Sequence, residues 1–183
     1  MTSQPFTPTA VFCNSGPLMA FGKLNRLDLL AEVYPQVQIP QAVFHETVTQ
    51  GALRNEPDAL TIRQFLRRSQ WPVIAVADEL LAQIQPLAPL GRGERAVLAL
   101  GHGNSGSLVL LDDALARREA RRLQLHAQGT LGVLVEAYRR RLLTQPQLAL
   151  LLDEIAARPD IWIRASMCRQ VLEHLPALPP STE

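Results

Sequence analysis

The sequence predicts an α/β protein with a mainly parallel sheet flanked by helices. Short apolar segments alternate with longer amphipathic ones along the whole chain, as in proteins where strands and helices take turns. One segment, Leu108 to Leu111, has four consecutive apolar residues, which is typical of a strand covered on both faces. Asp112 and Asp113 follow it directly, at the end of a strand where α/β sheets bind their ligands.

The composition fits one globular domain over residues 1–183. Apolar residues make up 47% and charged residues 19%, which excludes a disordered chain, and the net charge of +1 argues against a generally basic coat for nucleic acid. Lys23 is the only lysine among 18 basic residues, so any positive patch consists of arginine. Two distant cysteines imply no disulfide framework, and Cys13 is expected in the core. Neither a signal peptide nor a membrane-length apolar segment is recognisable, so a cytoplasmic location without membrane contact is expected.

The first half of the chain predicts three strands. The segment 9–13 is a strand by composition, and Asn14 and Ser15 after it are good helix N-caps before Pro17. The segment 36–39 alternates as a second strand, and 71–76 is expected at an edge because Pro72 cannot donate to a central ladder. The helices expected between them are one carrying Leu18, Met19, Phe21 and Leu24 inward, then 27–33, 41–50 stopped by Gly51, 59–68 burying Leu60, Ile62, Phe65 and Leu66, and 78–85.

The second half predicts two further strands, 108–111 and 125–128. The helices expected there are 94–100, 114–123, 131–143, 148–157 and 165–175, and the Pro-rich residues after them are expected to fray. Residues 101–106 match G-x-G-x-x-G, but they follow a helix and precede a strand, so a turn is predicted instead of a dinucleotide loop.

Acidic or acid-like residues occur at four separate places. They are Asn14 after the first strand, Glu46 on a helix, Glu94 at a helix start, and the pair Asp112 and Asp113. A cluster of oxygen ligands of this kind binds Mg²⁺ or Mn²⁺, and such an ion can activate water against a phosphodiester. Each residue also has a simpler interpretation: Asp as a helix cap, Glu94 at the positive end of a helix dipole, and Glu46 as an exposed border residue.

The four histidines, His45, His102, His126 and His174, have no metal-ligand spacing with each other or with the cysteines. Structural or exposed positions are therefore expected for them.

Five motifs in a shared order resemble the PIN-domain superfamily of nucleases, in particular a prokaryotic branch of PIN-like proteins related to the VapC toxins. The motifs lie at 13–18, 39–46, 90–96, 109–117 and 129–134, and together they span about 11–143. The resemblance implies a three-layer fold with a central, mainly parallel sheet, in which conserved acids at one end hold divalent metal for hydrolysis of RNA.

Carried over residue by residue, the resemblance makes Glu46, Glu94, Asp112 and Asp113 the candidate catalytic and metal-binding residues, with Mg²⁺ or Mn²⁺ as the cofactor. The family's first acid falls on Asn14, whose carbonyl oxygen can ligate a metal without bringing a negative charge. This departure has three explanations: a weakly active or inactive natural member, a substitution that disarms a toxic nuclease, or a shifted site.

Candidate RNA-binding residues are Ser15, Arg92, Arg117, Arg118 and Arg121, with Arg95 and Arg122 nearby. A solvated helix face is the alternative for the arginine run. The resemblance further implies an RNA substrate, a small antitoxin protein as partner, and a homodimer.

The leading hypothesis is a metal-dependent endoribonuclease that acts as the toxin of a toxin–antitoxin pair. The alternative is a catalytically inactive PIN scaffold that binds RNA or a small partner protein, for which Asn14 is the reason. A phosphoryl-accepting receiver domain fits poorly, because its aspartate pair should follow the first strand.

Overall fold

A computed structural model of the protein describes residues 6–175. Its five strands form one sheet in which every neighbouring pair is parallel, and the strand order is β3-β2-β1-β4-β5. The strands are β1 (Val11–Cys13), β2 (Val37–Pro40), β3 (Val73–Ile74), β4 (Leu108–Leu110) and β5 (His126–Gln128). The prediction of an α/β fold with a parallel sheet is therefore confirmed, and β3 lies at the predicted edge.

The helices follow the strands in alternation. They are α1 (Ser15–Lys23), α2 (Leu27–Val33), α3 (Gln41–Phe44), a π-helix (His45–Gln50), α4 (Gly51–Leu53), α5 (Pro57–Ser69), α6 (Asp78–Ala82), α7 (Arg92–Gly103), α8 (Ala114–Arg122), α9 (Thr130–Arg139), α10 (Gln145–Ala157) and α11 (Ala165–Glu173). In the part of the chain that the structure describes, no helix is both long and apolar enough to span a membrane.

Helices lie in two groups around the sheet, which gives three layers. Helix α7 packs against β1, β2 and β4 and also contacts α3, α6 and α8. Helices α1, α2, α5 and α9 pack against one another, and α10 and α11 close the structure against α9. The core is the apolar material between these layers, with the central strands β1 and β4 buried along their whole length.

Two glycines that were predicted to end helices lie inside them. The helical run that begins at Gln41 continues through Gly51 to Leu53, and α7 continues through Gly101 to Gly103. A Cβ on Gly51 would lie 2.9 Å from the Cβ of Ala59, and one on Gly101 would lie 2.7 Å from Cγ1 of Val109. Both glycines therefore allow close packing against a neighbouring element, and the predicted turn is confined to residues 104–106.

One predicted core residue is wrong. Leu60 on α5 is half exposed, while Ile62, Phe65 and Leu66 are buried as expected. Leu60 lies outside the stripe that this helix turns inward, which consists of Ala59, Ile62, Phe65 and Leu66. Cys13 is fully buried as predicted, and burial raises the pKa of its thiol far above its usual range. The Pro-rich segment expected to fray lies outside the described residues.

Candidate active site

The site lies where the order of the strands reverses. The chain goes from β1 to β2 and β3 on one side, and then crosses to β4 and β5 on the other. In parallel sheets this arrangement opens a crevice at the carboxyl ends of the two strands beside the reversal, here β1 and β4. Asn14 follows β1 and its backbone N–H donates to the Leu110 carbonyl at 3.0 Å, so the first candidate position lies beside the strand that leads to Asp112.

The crevice is a cleft of about 750 Å³. Most of the residues proposed from the sequence line it: Asn14, Ser15, Glu46, Glu94, Asp112, Asp113 and Arg117. Four chain segments that are far apart in sequence thus meet at one place. Lys23, Arg164, Trp162 and Met167 also line the cleft and were not proposed from the sequence.

Asp112 is held by Thr130 at the start of α9. The Thr130 backbone N–H donates to Oδ1 at 2.7 Å and the Thr130 hydroxyl donates to Oδ2 at 2.6 Å. Burial raises the pKa of Asp112, while the two Thr130 hydrogen bonds and the nearby charge of Arg117 act in the opposite direction. Thr130 is a site residue without a proposed role from the sequence; the only signal was its position after the last strand, in the Gly-Thr motif that opens a helix.

Asp113 is the N-cap of α8. Its Oδ1 accepts a hydrogen bond from the Ala116 backbone N–H at 2.9 Å. The capping interpretation therefore holds for this residue, and it lines the cleft as well. Capping engages one carboxylate oxygen and positions the side chain at the mouth of the cleft.

Glu46 reaches the cleft from the π-helix. Its Oε2 accepts a hydrogen bond from the Ser15 hydroxyl at 2.5 Å, and its Oε1 accepts one from the Gly93 backbone N–H at 3.2 Å. The same Ser15 hydroxyl lies 3.4 Å from Oδ1 of the buried Asn14. Glu46, Ser15 and Asn14 are thus linked although Glu46 lies 31 residues further along the chain. Helical segments of π type are often found at functional sites.

Glu94 is half-buried in the first turn of α7, where its Oε2 accepts a hydrogen bond from the Gly91 backbone N–H at 2.8 Å. Burial raises the pKa of Glu94, and the negative charges of Asp113 and Glu46 raise it further, against the effect of the Gly91 hydrogen bond. Like charges on three segments therefore repel one another across the cleft.

Two glycines let the backbone approach these side chains. A Cβ on Gly93 would lie 2.8 Å from Oε2 of Glu46 and 3.0 Å from Oδ1 of Asn14. A Cβ on Gly129 would lie 2.8 Å from Oδ1 of Asp112 and 3.0 Å from Nη1 of Arg117. Any larger residue at either position would displace a side chain of the cleft.

The donors fit a hard dication in their chemistry, since carboxylate and amide oxygens are the ligands that Mg²⁺ and Mn²⁺ prefer. The repulsion that raises the pKa of Glu94 is also the kind that a cation in the cleft relieves. Among residues 6–175, however, no three Asp, Glu, His or Cys side chains are grouped closely enough to hold an ion as they stand. The four histidines are exposed, in agreement with their predicted role.

The arginines proposed from the sequence lie in four different surroundings. Arg117 lines the acidic cleft, and Arg92 and Arg95 line a neighbouring cleft of about 770 Å³ that shares Glu46 with it. Arg118 and Arg121 are exposed and line neither cleft. Arg122 donates to the buried carboxylate of Glu119 at 2.8 Å and to the Gln85 carbonyl at 3.0 Å. Arg122 therefore joins α8 to the loop at Gln85, and its contact with phosphate stays a prediction.

The sheet is parallel, and carboxylates meet in a cleft where the order of its strands reverses. These two features place the protein among the α/β domains that have an acidic site. A family model described as DUF3368, a PIN domain, matches residues 10–176. The chain belongs to this PIN-domain family, which confirms the superfamily indicated by the sequence motifs. No protein of known, curated function matches it. Membership of the family indicates a nuclease fold, and PIN domains in general use divalent metal ions.

Proposed function

We propose that the protein is a metal-dependent endoribonuclease of the VapC-related type, the toxin of a toxin–antitoxin pair. One observation carries the proposal: Glu46, Glu94 and the pair Asp112 and Asp113 come from three separate segments and open into one cleft at the strand reversal. A family of nuclease fold and an acidic cleft of this kind support the same reaction class, hydrolysis of a phosphodiester.

In this proposal Glu46, Glu94, Asp112 and Asp113 hold Mg²⁺ or Mn²⁺, with the Asn14 carbonyl oxygen beside them. When bound, the ion lowers the pKa of water and neutralises charge that develops on the phosphodiester. Thr130 fixes both oxygens of Asp112, and Ser15 and Gly93 fix Glu46, so the ligand side chains are oriented before substrate arrives.

The half-buried Glu94 serves in this proposal as a metal ligand, and its hydrogen bond from the Gly91 backbone N–H holds the side chain at the cleft. In this proposal Arg117, beside Asp112 at the edge of the cleft, contacts a phosphate of the substrate, and so does Arg92 in the next cleft. The Ser15 hydroxyl can donate to a phosphate only when it gives up its hydrogen bond to Glu46. Arg118 and Arg121 stay in the proposal only as contacts to RNA beyond the cleft.

Because Asn14 is neutral, the site has one negative charge less than the resemblance to the family implies. The experiment that tests the proposal compares RNA cleavage by the unmodified chain and by its Asn14→Asp variant, each with Mn²⁺, with Mg²⁺ and with EDTA. We expect weak, EDTA-sensitive cleavage by the unmodified chain and a gain of roughly 10-fold or more in the variant, equivalent to about 1.4 kcal/mol of transition-state stabilisation. Asp113→Asn in the Asn14→Asp background should abolish it.

The nuclease proposal fails if the Asn14→Asp variant neither binds Mn²⁺ in calorimetry nor cleaves any RNA. An Asn25→Asp variant is a matched control, because it adds the same charge at an exposed position outside the cleft. Cleavage that rises equally in both variants would point to net charge instead of the site.

A second function is favoured by a specific observation: Asn14 is buried and neutral, and no ready-made group of three ligands exists among residues 6–175. These features suit a catalytically inactive PIN scaffold that binds RNA or a small partner protein. Metal-dependent cleavage by the unmodified chain that Asp113→Asn abolishes would exclude this alternative.

The toxin role, a cytoplasmic location, a small antitoxin partner and a homodimer belong to the same proposal. A short reading frame beside the gene, whose product co-purifies with this chain and restores growth, would support the first three. Sedimentation of the purified chain measures the fourth directly.

A further inference from the structure

Trp162 is the most exposed large apolar side chain of the described residues, with 92% of its surface accessible. It lies in the connection between α10 and α11, preceded by the buried Ile161 and followed by the half-buried Ile163. A single exposed apolar residue needs no explanation by itself. The position of Trp162 and the way its backbone is held are what carry an inference.

The backbone before Trp162 is clamped to the end of α1. The Arg158 guanidinium donates to both carboxylate oxygens of Asp160, at 3.0 and 2.9 Å, and to the Lys23 carbonyl at 3.0 Å. The Lys23 ammonium donates in return to the Asp160 carbonyl at 2.7 Å. Because Ile161 is inserted into the core directly afterwards, the backbone that carries the indole is held in place, and binding a ligand need order only the side chain of Trp162.

Trp162 stands between the acidic cleft and a second groove. This groove, of about 430 Å³, shares Asp112, Arg117, Trp162, Ile163 and Met167 with the acidic cleft. Its floor is apolar, formed by side chains such as Leu131, Val135 and Val171, and its cationic side chains include Arg117 and Arg139. An apolar surface with an aromatic face and arginines beside it combines the two features that single-stranded nucleic acid requires: stacking for bases and positive charge for phosphates.

We propose that Trp162 stacks on an unpaired nucleobase of the substrate and thereby holds single-stranded nucleic acid across the acidic cleft. The inference rests on the proposed nuclease function and adds a residue of this chain that binds the bases of the substrate. Bases in a duplex are already stacked and paired, so their faces are closed to Trp162, whereas a single strand, a loop or an overhang offers them. Charge favours this occupant over a protein partner, since among the described residues that line the groove Arg117 and Arg139 outnumber the carboxylate of Asp112.

The test measures binding without cleavage. In EDTA no metal-dependent cleavage occurs, so the affinity of short labelled oligoadenylate with 2′-O-methyl riboses can be read there by fluorescence anisotropy. The chains compared are the unmodified one, Trp162→Ala, Trp162→Phe and Leu150→Ala. We expect Trp162→Ala to weaken binding roughly 5- to 100-fold, as for the loss of one stacked base. Trp162→Phe should recover most of the affinity. Leu150→Ala, which also removes an exposed apolar side chain and lies outside both grooves, should change nothing.

Two further probes separate stacking from charge. An abasic sugar-phosphate chain of equal length should bind the unmodified chain about as weakly as the oligonucleotide binds Trp162→Ala, and it should not quench the fluorescence of Trp162. A duplex of the same sequence should also bind more weakly than the single strand. Equal affinity of Trp162→Ala and the unmodified chain for the oligonucleotide would overturn the inference.

Loss of self-association in Trp162→Ala with oligonucleotide affinity unchanged would also overturn it, and would assign the groove to a protein contact. The nuclease proposal is judged separately, by cleavage. If the chain cleaves RNA and Trp162→Ala has no effect on binding, only this inference fails. If binding depends on Trp162 but the Asn14→Asp variant does not cleave RNA, only the nuclease proposal fails.

Discussion

Glu94 shows how a single side chain of the cleft acts on both stability and chemistry. Because burial and the charges of Asp113 and Glu46 raise its pKa above 4.5, the folded protein holds this proton more tightly than the unfolded chain does. The contribution of Glu94 to stability is therefore fully present below pH 4.5 and is lost as the pH rises through the raised value. At neutral pH the ionised carboxylate works against the fold.

We therefore expect Glu94→Gln to be more stable than the unmodified chain at pH 7 and equally stable near pH 4. The gain should be about 0.3–1 kcal/mol, the scale for partly exposed charges. Glutamine keeps an oxygen that can accept the Gly91 hydrogen bond, so the cap survives. Thermal unfolding in EDTA between pH 4 and 8 measures the difference. The exposed Glu173→Gln is the control, and a variant that is less stable than the unmodified chain at pH 7 would contradict the prediction.

Other residues of the cleft show how far the sequence predicts the surroundings of a single side chain. The motif at 39–46 pointed to Glu46, but the simpler interpretation, an exposed border residue, was also correct as far as exposure goes. Only the folded chain brings Ser15 and Gly93 to its two oxygens. The contact of Thr130 with Asp112 could not be predicted either, because the two residues follow different strands and no spacing in the sequence links them.

At the scale of elements, Asp113 combines two roles that can be separated. As the N-cap of α8 it accepts from the Ala116 N–H, and as a cleft residue it is a proposed metal ligand. Asp113→Ala removes both, and we expect it to lower the free energy of unfolding by about 1 kcal/mol and to abolish cleavage in the Asn14→Asp background. Asp113→Asn keeps a capping oxygen, so its stability should be nearly unchanged while cleavage is lost.

Urea unfolding followed by circular dichroism gives the two stabilities, and RNA cleavage gives the activities. Full activity of Asp113→Asn would show that capping is the whole function of this residue. Equal instability of both variants would show that charge, and not the cap, stabilises α8.

The boundaries of elements were less predictable than their existence. Each predicted strand is present, because apolar runs flanked by turn residues leave few alternatives. The sequence predicts a helix end at Gly51 and a turn from Gly101, yet both glycines lie inside helices, where a neighbouring element packs too closely for a Cβ. The π-helix that carries Glu46 has no local signature in the sequence, and its extra residue per turn is visible only in the structure.

At the scale of the whole molecule, the order of strands decides where the acids meet. Alternation of strands and helices predicted the parallel sheet, but not that β1 is its centre with β2 and β4 on either side. The convergence of Asn14 and Asp112 follows from that order alone, since these residues end adjacent strands. The family motifs implied the convergence, and no spacing within the sequence could establish it.

The three clefts follow one another across this end of the molecule, which predicts a path for a nucleic-acid strand. The cleft with Arg92 and Arg95 shares Glu46 with the acidic cleft, and the acidic cleft shares Arg117 with the groove of Trp162. For single strands, each neutralised phosphate contributes about 0.7 to the slope of log affinity against log salt concentration. We expect Arg92→Ala and Arg117→Ala each to reduce the slope by about 0.7, and the double variant by about 1.4.

Anisotropy titrations of the same oligonucleotide in EDTA at several salt concentrations measure these slopes. Arg63→Ala, on the exposed side of α5, is the control that should leave the slope unchanged. Arg121→Ala distinguishes the path from its alternative, because Arg121 lines none of the three clefts. A loss of slope in Arg121→Ala together with an unchanged slope in Arg92→Ala would place the strand over α8. The nucleic acid would then cross the acidic cleft at one point instead of running along it. An endonuclease with this arrangement would contact its substrate on only one side of the scissile bond.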